Sequence, residues 1–582
     1  MRGITAAGLG LLAASTIGAP AATAAAGTPS DGQAPARYAK VKQVCPPAGP
    51  RSARCLALAL VPAAPGAAGS HAYQLAAGAL ARGPAGGLTP SDLAGAYGYT
   101  PAAGGTGQTV GIVDAYDDPA VEEDLGAFDS QYGLPACTKA NGCFRKVSQT
   151  GSTTALPAAD TAGWSVEISL DVETVHSVCP NCSILLVEAG SESVSDLAAS
   201  ANEAVSLGAT EVSNSYGEAE ASLGAGEQAA YDHPGVVITA SAGDSGYLNW
   251  DDIFSLEEYA PAPDAPASLP TVVAVGGTAL KLASTGRRSS ESVWNDSGRP
   301  SDEREFKQLA ATGGGCSTVF PAPSWQQDVP GWSNAACAGK RLDNDIAADA
   351  DPYTGFDIYD TYVYESSFKP GWLTVGGTSL SSPLISSLYA LAGGAHGVSY
   401  PAATLYTHLG QAASLYDVTK GGSGYCDGEE AAACGEPEVN ELLGEVDCLG
   451  TSACDAATGY DGPTGVGTPN GLTAFGGVTP VRPTVLTEAA TALTPSTATL
   501  NATVNPNGST VSSCTFEYGP TISYGQSAAC TPAPGSATSP VQVTAASTGL
   551  AAKTTYHFRV TATDSAGTSV GRAKTLRTTK TT

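Results

Sequence analysis

Short, wholly apolar runs alternate with longer mixed stretches between residues 88 and 478. The apolar runs predict buried strands, at 110–113, 183–187, 211–213, 236–239 and 271–275. The stretches between them predict helices, at 122–132, 163–176 and 195–207. Buried strands separated by helices are typical of a parallel sheet that is covered on both faces. The pattern therefore predicts a doubly wound α/β domain over 88–478.

The pattern changes to a period of two after a linker at 479–483 that contains two prolines. Tyr556, Phe558 and Val560 alternate with polar residues, as in a strand with one buried face. Leu550 precedes Tyr556 by six residues, which fits a corner where a Tyr hydroxyl fastens a loop. We expect an antiparallel β-sandwich over 484–582, similar to a fibronectin type III module.

The first residues have the features of a secretory signal. Arg2 is followed by an apolar run of small residues at 4–17, and Ala22-Thr23-Ala24 offers a cleavage site. We therefore predict a signal peptide at 1–26, a short N-terminal extension or propeptide at 27–87, and a secreted, extracellular protein. No other apolar run is long enough to span a bilayer.

Net charge narrows the range of partners. The 582 residues carry a formal net charge of -28, and the sequence pI is about 4.4. A surface this acidic repels nucleic acid and anionic membranes, so we expect neither as a partner. The acidity suits either plain solubility or work at low pH, where many carboxylates are neutral.

An even number of cysteines, 14, in an exported chain favours disulfides over metal thiolates. Proximity in the sequence predicts four local pairs, Cys45–Cys55, Cys137–Cys143, Cys316–Cys337 and Cys514–Cys530. Cys179 and Cys182 form a CxxC, which in an oxidising compartment is more often a structural bridge than a redox site. The pairing stays open among Cys426, Cys434, Cys448 and Cys454.

The most specific motif is Gly376-Gly-Thr-Ser-Leu-Ser-Ser-Pro383, directly before an apolar helix at 384–392. Ser379 at the start of this helix is expected to expose its Oγ in the favourable field of the helix N-terminus, which suits a nucleophile. Pro383 fits the first helical turn, where its missing N–H costs little. The alternative is an N-cap serine on a buried helix.

A serine nucleophile needs a base, and none of the six histidines lies in a motif that suits this serine. Glu167 and Asp171 are four residues apart, so a helix places both carboxylates on one face. Close like charges raise one pKa, and such a pair can share a proton at acid pH and still accept another. The alternative is a solvated acidic stripe, of which Glu173 is the expected example.

Asp244 follows the predicted strand at 236–239, at the carboxyl end where α/β sites lie. A protonated Asp there would donate a hydrogen bond to a developing oxyanion. The surrounding Gly-Asp-Ser-Gly also resembles the nucleophile loop of chymotrypsin-like proteases, with Ser245 attacking. That fold is all-β and needs an upstream Ala-His-Cys, and the sequence offers neither, so we discount Ser245.

These three segments, in this order, resemble the sedolisin family of serine-carboxyl peptidases over about residues 88–478. The resemblance implies a subtilisin-like fold and a serine-type endopeptidase that cuts protein or peptide substrates at acid pH. It implies a nucleophile at Ser379, its general base at Glu167, a supporting acid at Asp171 and an oxyanion-hole acid at Asp244. Some relatives release tripeptides, so a tripeptidyl exopeptidase is an alternative.

The resemblance also implies one structural Ca²⁺ site near the end of the catalytic domain. Its expected ligands are two carboxylates and three carbonyl oxygens, from Asp417, Val418, Ala457, Gly459 and Asp461. Two turn-forming Asp residues are the alternative. A long insert at 421–453 separates the two halves of this set.

A different class of function is a secreted binding protein, in which an inactive peptidase fold displays the β-sandwich. A polymer, a cell wall or a protein is the candidate ligand of that module. All four polar residues of the candidate site are retained, which favours the enzyme. Asp114 and Tyr216 lie where relatives can have a supporting carboxylate and an aromatic residue. No coiled-coil heptad is visible, and we expect a monomer.

Overall fold

Strands and helices alternate in the computed structural model much as the sequence predicts. It describes residues 38–62, 83–249, 261–296, 310–362, 368–424, 448, 450–476, 482–507, 511–535, 537, 539–564 and 567–581. The predicted signal peptide at 1–26 and most of the predicted linker lie outside these residues, as do Cys426 and Cys434.

The strands and helices fall into three groups. The N-terminal strands are β1 (Tyr38–Gln43), β2 (Arg54–Cys55) and β3 (Leu58–Pro62). The strands of the α/β domain are β4 (Thr109–Ala115), β5 (Phe144–Ser148), β6 (Ser183–Ala189), β7 (Glu211–Asn214), β8 (Tyr216–Ala219), β9 (Val237–Ser241), β10 (Ser245–Tyr247), β11 (Asp264–Ala265), β12 (Val273–Leu282), β13 (Arg288–Val293), β14 (Ala311–Gly314), β15 (Cys316–Pro321), β16 (Lys340–Leu342), β17 (Ile346–Asp349), β18 (Phe356–Asp360), β19 (Gly371–Gly376), β20 (Leu415–Tyr416) and β21 (Thr468–Pro469). The α-helices are α1 (Pro90–Tyr97), α2 (Val121–Tyr132), α3 (Trp164–Val178), α4 (Val194–Ser206), α5 (Ala225–Ala229), α6 (Ser324–Gln327), α7 (Thr378–Ala392) and α8 (Ala402–Tyr406). The C-terminal strands are β22 (Thr484–Thr487), β23 (Ala498–Asn505), β24 (Ser513–Gly519), β25 (Gln526–Ala529), β26 (Val541–Ser547), β27 (Thr555–Asp564), β28 (Gly567–Val570) and β29 (Lys574–Arg577).

The central sheet carries the α/β domain. Its strand order is β13-β12-β9-β7-β4-β6-β5, and β17 also pairs with β12. All pairs are parallel except that of β12 with β13 at the edge. The predicted doubly wound parallel sheet is therefore confirmed. The strand order reverses at β4, which lies between β6 and β7, and such a reversal opens a crevice at the carboxyl ends of the strands.

Two helices lie inside the domain rather than on its surface. Every residue of α3 is buried, and so is every residue of α7 except Ala392. The two helices pack against each other, and α7 also packs against β7 and β9. Because both helices are buried, their acids and serines lie in a low-dielectric interior, where a charge or an unpaired polar group is costly.

The N-terminal extension has more structure than its Ala-, Gly- and Pro-rich sequence indicates. β1 pairs antiparallel with β3, and β3 pairs antiparallel with β19, giving a four-stranded sheet in the order β1-β3-β19-β18. β2 pairs antiparallel with β8. The extension therefore adds one strand to β19, which ends at Gly376 of the Gly-Gly-Thr-Ser motif, and another to β8.

The C-terminal residues form an antiparallel β-sandwich, as predicted. One sheet has the order β22-β23-β26, and the other has the order β25-β24-β27-β28 with β29 beside β27. The two sheets share an apolar core that includes Phe516, Phe558 and Val560. The Tyr556 hydroxyl accepts the N–H of Ala551 at 2.9 Å, so the predicted tyrosine corner is present one residue from Leu550.

Disulfides join all four predicted local pairs and also Cys179–Cys182. Cys448 pairs with Cys454, which settles part of the pairing that the sequence leaves open. The Cys514–Cys530 disulfide joins two segments of the sandwich. Among the described residues, no helix is both long and apolar enough to cross a membrane.

Candidate active site

Ser379 is the second residue of α7 and is fully buried. Its Oγ donates to the backbone oxygen of Ser215, directly after β7, at 3.3 Å. The same oxygen accepts the N–H of Leu56 at 3.3 Å, so the N-terminal extension lies directly beside the serine. The expectation of an exposed Oγ is therefore wrong for this state of the chain, because the extension fills the space in front of it.

Pro383 lies in the second turn of α7, not in the first turn as predicted, because the helix already begins at Thr378. A proline in that position has no N–H to give to the carbonyl four residues earlier, which is that of Ser379. The freed Ser379 oxygen lies 3.4 Å from the Ser215 hydroxyl. Pro383 thus leaves the backbone oxygen of Ser379 without its helical hydrogen bond. This oxygen lies beside the Ser215 hydroxyl, which also reaches the carboxylate of Asp171.

Glu167 and Asp171 occupy one face of α3, and both are fully buried. The Ser215 hydroxyl lies 2.8 and 2.9 Å from the two Asp171 oxygens and donates to that carboxylate. A solvated acidic stripe is excluded, since Glu173 is also buried and accepts the N–H of Tyr359 at 2.9 Å. Because both carboxyl groups are fully buried, a negative charge on Glu167 or Asp171 costs free energy.

Burial, and then the neighbouring Asp171 and Asp114 carboxylates, raise the pKa of Glu167 well above its ordinary value. The Ser379 side chain acts the other way, since its hydrogen bond favours the charged carboxylate and lowers that pKa. Neither Glu167 oxygen has a partner with full hydrogen-bond geometry, so the Ser379 contact is close but imperfectly aligned. Such loose contacts are common when no substrate is bound and tighten with it.

Asp114 is the third member of this acidic group and lies at the carboxyl end of β4. It is fully buried, neither of its oxygens has a hydrogen-bond partner, and burial raises its pKa to about 8. Its charge also raises the pKa of Asp171, after the larger effect of burial. Three carboxyl groups in one buried cluster cannot all ionise at acid or neutral pH, so they share protons.

Asp244 lies just beyond β9 and contacts Thr378, the residue before Ser379. Its Oδ1 accepts the N–H and the hydroxyl of Thr378, both at 2.8 Å, while its buried Oδ2 has no partner. Burial raises its pKa to about 7, against the hydrogen bonds from Thr378 and the charge of Arg54. The carboxyl is therefore protonated at acid pH, and Oδ2 is the oxygen that is free to donate.

Ser245 follows Asp244 directly. Its Oγ accepts from the Arg54 guanidinium. None of the described histidines has a hydrogen bond to Ser245; for example, the buried His176 contacts the oxygen of Pro135.

The expected supporting role of Tyr216 rests on its position in β8, next to the acidic group. Its hydroxyl donates to Asn214 at 2.8 Å, and its ring centroid lies 6.4 Å from that of Trp164, the first residue of α3. Tyr216 thus connects Asn214, the residue before Ser215, to the helix that carries the acidic pair.

Two positions that contribute to the site are not predicted from the sequence. Ser215 joins the serine to the acidic pair, and the residues around Leu56 cover the site. Ser215 follows a predicted strand of the sheet, so its place at the strand's carboxyl end is a usable signal. The covering segment gives no local signal, since only the fold brings it to Ser379.

The proposed calcium ligands come together in the structure. Asp417 accepts the Gly459 N–H at 3.1 Å, and the buried Asp461 accepts the N–H of Ala457 at 2.9 Å. Burial raises the pKa of Asp461 to about 7, and the Asp417 charge adds to the rise. The carbonyl oxygens of Val418, Ala457 and Gly459 accept no hydrogen bond from the described residues. Two repelling carboxylates beside free carbonyls fit a hard, oxygen-seeking cation.

The Peptidase_S8 profile, which describes the subtilase family, matches residues 151–444. Sedolisin from Pseudomonas sp. strain 101 is 31% identical over 332 residues, which are 54% of this chain and 52% of sedolisin. Kumamolisin from Bacillus sp. strain MN-32 is 32% identical over 302 residues, which are 49% of this chain and 48% of kumamolisin. The chain thus spans about half the length of the curated relatives it matches.

A solved structure of Pseudomonas sedolisin, a serine-carboxyl proteinase in complex with two molecules of pseudo-iodotyrostatin, superimposes with a TM-score of 0.51 and 28% identity. The match covers 66% of this chain and 95% of the sedolisin chain. It agrees with the subtilisin-like fold that the sequence implies. The chain belongs to the subtilase family, and its relatives there are sedolisin-type peptidases.

Proposed function

We propose that the chain is a secreted endopeptidase that hydrolyses peptide bonds at acid pH with Ser379 as nucleophile. The observation that carries the proposal is the burial of Ser379 close to acids of two different kinds. Its side chain contacts Glu167, which shares a helix face with Asp171, and its neighbour Thr378 binds Asp244, whose Oδ2 has no partner. Six disulfides among the described residues support export to an oxidising compartment.

In this mechanism Glu167 takes the proton from Ser379 as the hydroxyl attacks the substrate carbonyl. Asp171, held by Ser215, keeps a proton within the acidic group and supports the charge change at Glu167. Protonated Asp244 donates from Oδ2 to the developing oxyanion. At higher pH Asp244 ionises and repels that oxyanion, so the reaction is confined to acid pH.

Peptides of two designs test this function and separate it from a tripeptidyl exopeptidase. One is an internally quenched decapeptide blocked at both ends, and the other is a tripeptide amide of a fluorophore with a free amino terminus. We expect cleavage of the blocked peptide between pH 3 and pH 6 after acid treatment of the full chain. Cleavage of the free-ended substrate alone would identify an exopeptidase. Cleavage of neither would favour a binding protein.

Substitution of Asp244 tests the oxyanion role. In Asp244→Asn the amide oxygen keeps both Thr378 hydrogen bonds and the NH₂ group donates at any pH, whereas Asp244→Ala has no donor. We expect the Ala variant to lose about 10²-fold to 10³-fold in kcat at pH 4. The Asn variant should retain more activity, and its activity should decline less between pH 6 and pH 8, since the group with a pKa of about 7 is gone. The measurement is kcat/KM on the blocked peptide across pH 3 to 8.

Equal profiles for the Ala variant and the wild type would contradict the role of Asp244. Thermal denaturation at pH 4 is the companion measurement, because Asp244 also binds Thr378 at the start of α7. A loss of activity counts only where the melting temperature is retained.

The oxygen set around Asp461 leads us to propose one structural Ca²⁺, held by side chains of Asp417 and Asp461 and by carbonyls of Val418, Ala457 and Gly459. When bound, Ca²⁺ would neutralise the two carboxylates and fasten two loops. We expect a chelator at neutral pH to lower the melting temperature by several degrees, because an ion that binds only the folded state stabilises it. Calcium, but not magnesium, should restore it.

The matched variant for this test is Asp417→Asn, which removes one exposed charge and leaves the buried Asp461 in place. It should be nearly insensitive to the chelator. If wild type and variant respond alike, the bound ion lies elsewhere or is absent.

A further inference from the structure

Asn344 has a backbone conformation that residues with a side chain rarely adopt. Its φ is +81°, in the left-handed region that favours glycine, and the residue is fully buried between β16 and β17. Glycine would hold this conformation with less strain. A strained residue persists where its surroundings or its task require it, so an asparagine here indicates that the side chain itself is needed.

The Asn344 carboxamide joins two parts of the chain that are far apart in the sequence. Its Nδ2 donates to the backbone oxygen of Gly313 at 3.1 Å, and to those of Gly462 and Pro463 at 2.8 and 3.3 Å. Gly313 belongs to β14, and the other two acceptors lie in the loop at 461–465. These contacts are buried, where an unsatisfied polar group is costly. The side chain therefore fastens β14 to this loop.

β14 in turn supports the segment that carries Asp244. The N–H of Gly313 donates to the oxygen of Gly243 at 2.6 Å, and the N–H of Ala311 donates to the backbone oxygen of Asp244 at 3.1 Å. A methyl group added at Gly313 would collide with the Ala242 oxygen, so the two backbones are in direct contact. β14 also pairs with β10, which begins directly after Asp244. Because packed interiors transmit strain, a shift of β14 would move Asp244.

The loop at 461–465 is a firm anchor for the other end of the connection. Asp461 is fully buried, and its Oδ1 accepts the N–H and the hydroxyl of Thr464 at 2.9 and 2.8 Å. Gly465 lies so close to Asp345 that an added methyl group would collide with the Asp345 backbone. The loop therefore gives the carboxamide a fixed point to hold.

The oxyanion acid depends on accurate placement. Asp244 Oδ1 accepts two hydrogen bonds from Thr378, at the start of the helix that carries Ser379, and Oδ2 keeps its direction only while the Asp244 backbone stays in place. Hydrogen bonds weaken steeply with misalignment. A displacement of about 1 Å can cost about 10²-fold in rate, even when its cause lies outside the reacting groups.

We propose that Asn344 is a positioning residue for the oxyanion acid: its carboxamide holds β14 against the loop at 461–465, and β14 holds Asp244 where Oδ2 can donate. The inference rests on the proposed peptidase function for its effect on rate, but not for the connection itself. An interaction that serves only the transition state affects kcat and leaves KM nearly unchanged. Loss of the carboxamide should therefore lower kcat.

The variant Asn344→Gly isolates the carboxamide, because glycine accepts a φ of +81° without strain. We expect kcat on the blocked peptide at pH 4 to fall about 10-fold to 10²-fold, with KM within about threefold of the wild type. The matched control is Asn470→Ala, which removes a carboxamide that donates to the Ala412 oxygen at 2.7 Å and should leave kcat nearly unchanged. A lower melting temperature with unchanged kcat would show a structural role alone and refute the inference.

A double-variant cycle tests whether the effect passes through Asp244. When Asp244 is already replaced by alanine, Asn344→Gly should lower kcat by less than about threefold, because residues that act through one group are not additive. An equal loss in the two backgrounds would place the effect elsewhere and contradict the proposed role.

Hydrogen exchange tests the connection without activity. The N–H of Thr378 donates to Asp244 and the N–H of Gly313 to the residue before it, so both amides report on this support. In the full chain with Ser379→Ala, Asn344→Gly should speed exchange at these two amides at least about tenfold, while amides of β6 keep their rates. Unchanged exchange at both would overturn the inference. If the wild type cleaves neither peptide, the proposed function fails, and exchange alone decides whether the connection exists.

Discussion

Replacement of Ser379 by Ala is expected to lower kcat on the blocked peptide at pH 4 by about 10⁴-fold to 10⁶-fold. The alanine removes the proposed nucleophile, the hydroxyl whose hydrogen bond lowers the pKa of the buried Glu167. Glu167→Gln should cause a loss of similar size, because glutamine has the shape of glutamic acid but cannot accept the serine proton. The double variant should be little worse than either single one, since residues that act in one proton transfer are not additive.

The chain supplies a close control for each substitution. Ser386 is a buried serine on the same helix as Ser379, and its hydroxyl has no hydrogen-bond partner, so Ser386→Ala should leave rate and stability nearly unchanged. Glu173→Gln changes a second buried glutamate of α3, away from the serine, and should leave kcat at pH 4 within about threefold. The mechanism is wrong if Glu167→Gln keeps wild-type activity at pH 4 while retaining its fold.

Much of the α/β domain could be predicted because its strands are buried on both faces. The strands predicted at 183–187 and 211–213 appear at Ser183–Ala189 and Glu211–Asn214. A fully apolar run has one dominant physical requirement, burial, and a parallel sheet between helices meets it. The sandwich strands were equally predictable, since the alternation at Tyr556, Phe558 and Val560 matches the alternating burial of β27.

The residues of the site lie in short sequence motifs. These motifs are far apart in the sequence, and only the tertiary fold brings them together. Glu167 and Asp171 share a helix face, so their proximity follows from helix geometry alone. The distance between this pair, Asp244 and Ser379 depends on how α3 and α7 pack against the sheet. Ser215 and Leu56 meet through a backbone oxygen and a backbone N–H, which nearly every residue has, so side-chain chemistry gives no hint of this contact.

The strands of the N-terminal extension were missed for a related reason. β2 has only two residues, and its neighbours are rich in Ala, Gly and Pro, so no period can develop. Its extended form comes from pairing with β8, not from local propensity. Strand propensity depends on such partners more than helix propensity does.

Buried carboxylates outside the candidate site form a second acidic region, with consequences for stability. Burial raises the pKa of Asp118 to about 8, of Asp360 to about 7, and of Glu188 to about 9 despite the nearby Lys146. Burial also raises the pKa of Glu173 well above its usual value. In the unfolded chain these groups titrate near pH 4. Between pH 4 and pH 9 the folded state therefore binds more protons than the unfolded state.

The effect of pH on the free energy of unfolding has a definite sign. Each of these groups contributes its full stability below the unfolded pKa, and that stability is lost as the pH rises through the folded pKa. The slope is about 1.4 kcal/mol per pH unit for each such group in the interval where only the folded state is protonated. We therefore expect the melting temperature to be highest near pH 4 and to fall by roughly 10 °C or more by pH 8. Calorimetry on the Ser379→Ala chain avoids self-digestion during the scan.

Glu173→Gln tests this account at a single position. The amide oxygen still accepts the Tyr359 N–H, but the side chain no longer ionises in the interior. The variant should therefore melt near the wild-type temperature at pH 4 and above it at pH 8. Glu123→Gln, at an exposed position of α2, is the control and should shift neither value. A wild-type melting temperature that stays level or rises from pH 4 to pH 8 would contradict the account. Ionisation of the buried acids leaves negative charges in a low-dielectric interior, so it must lower the stability of the folded state.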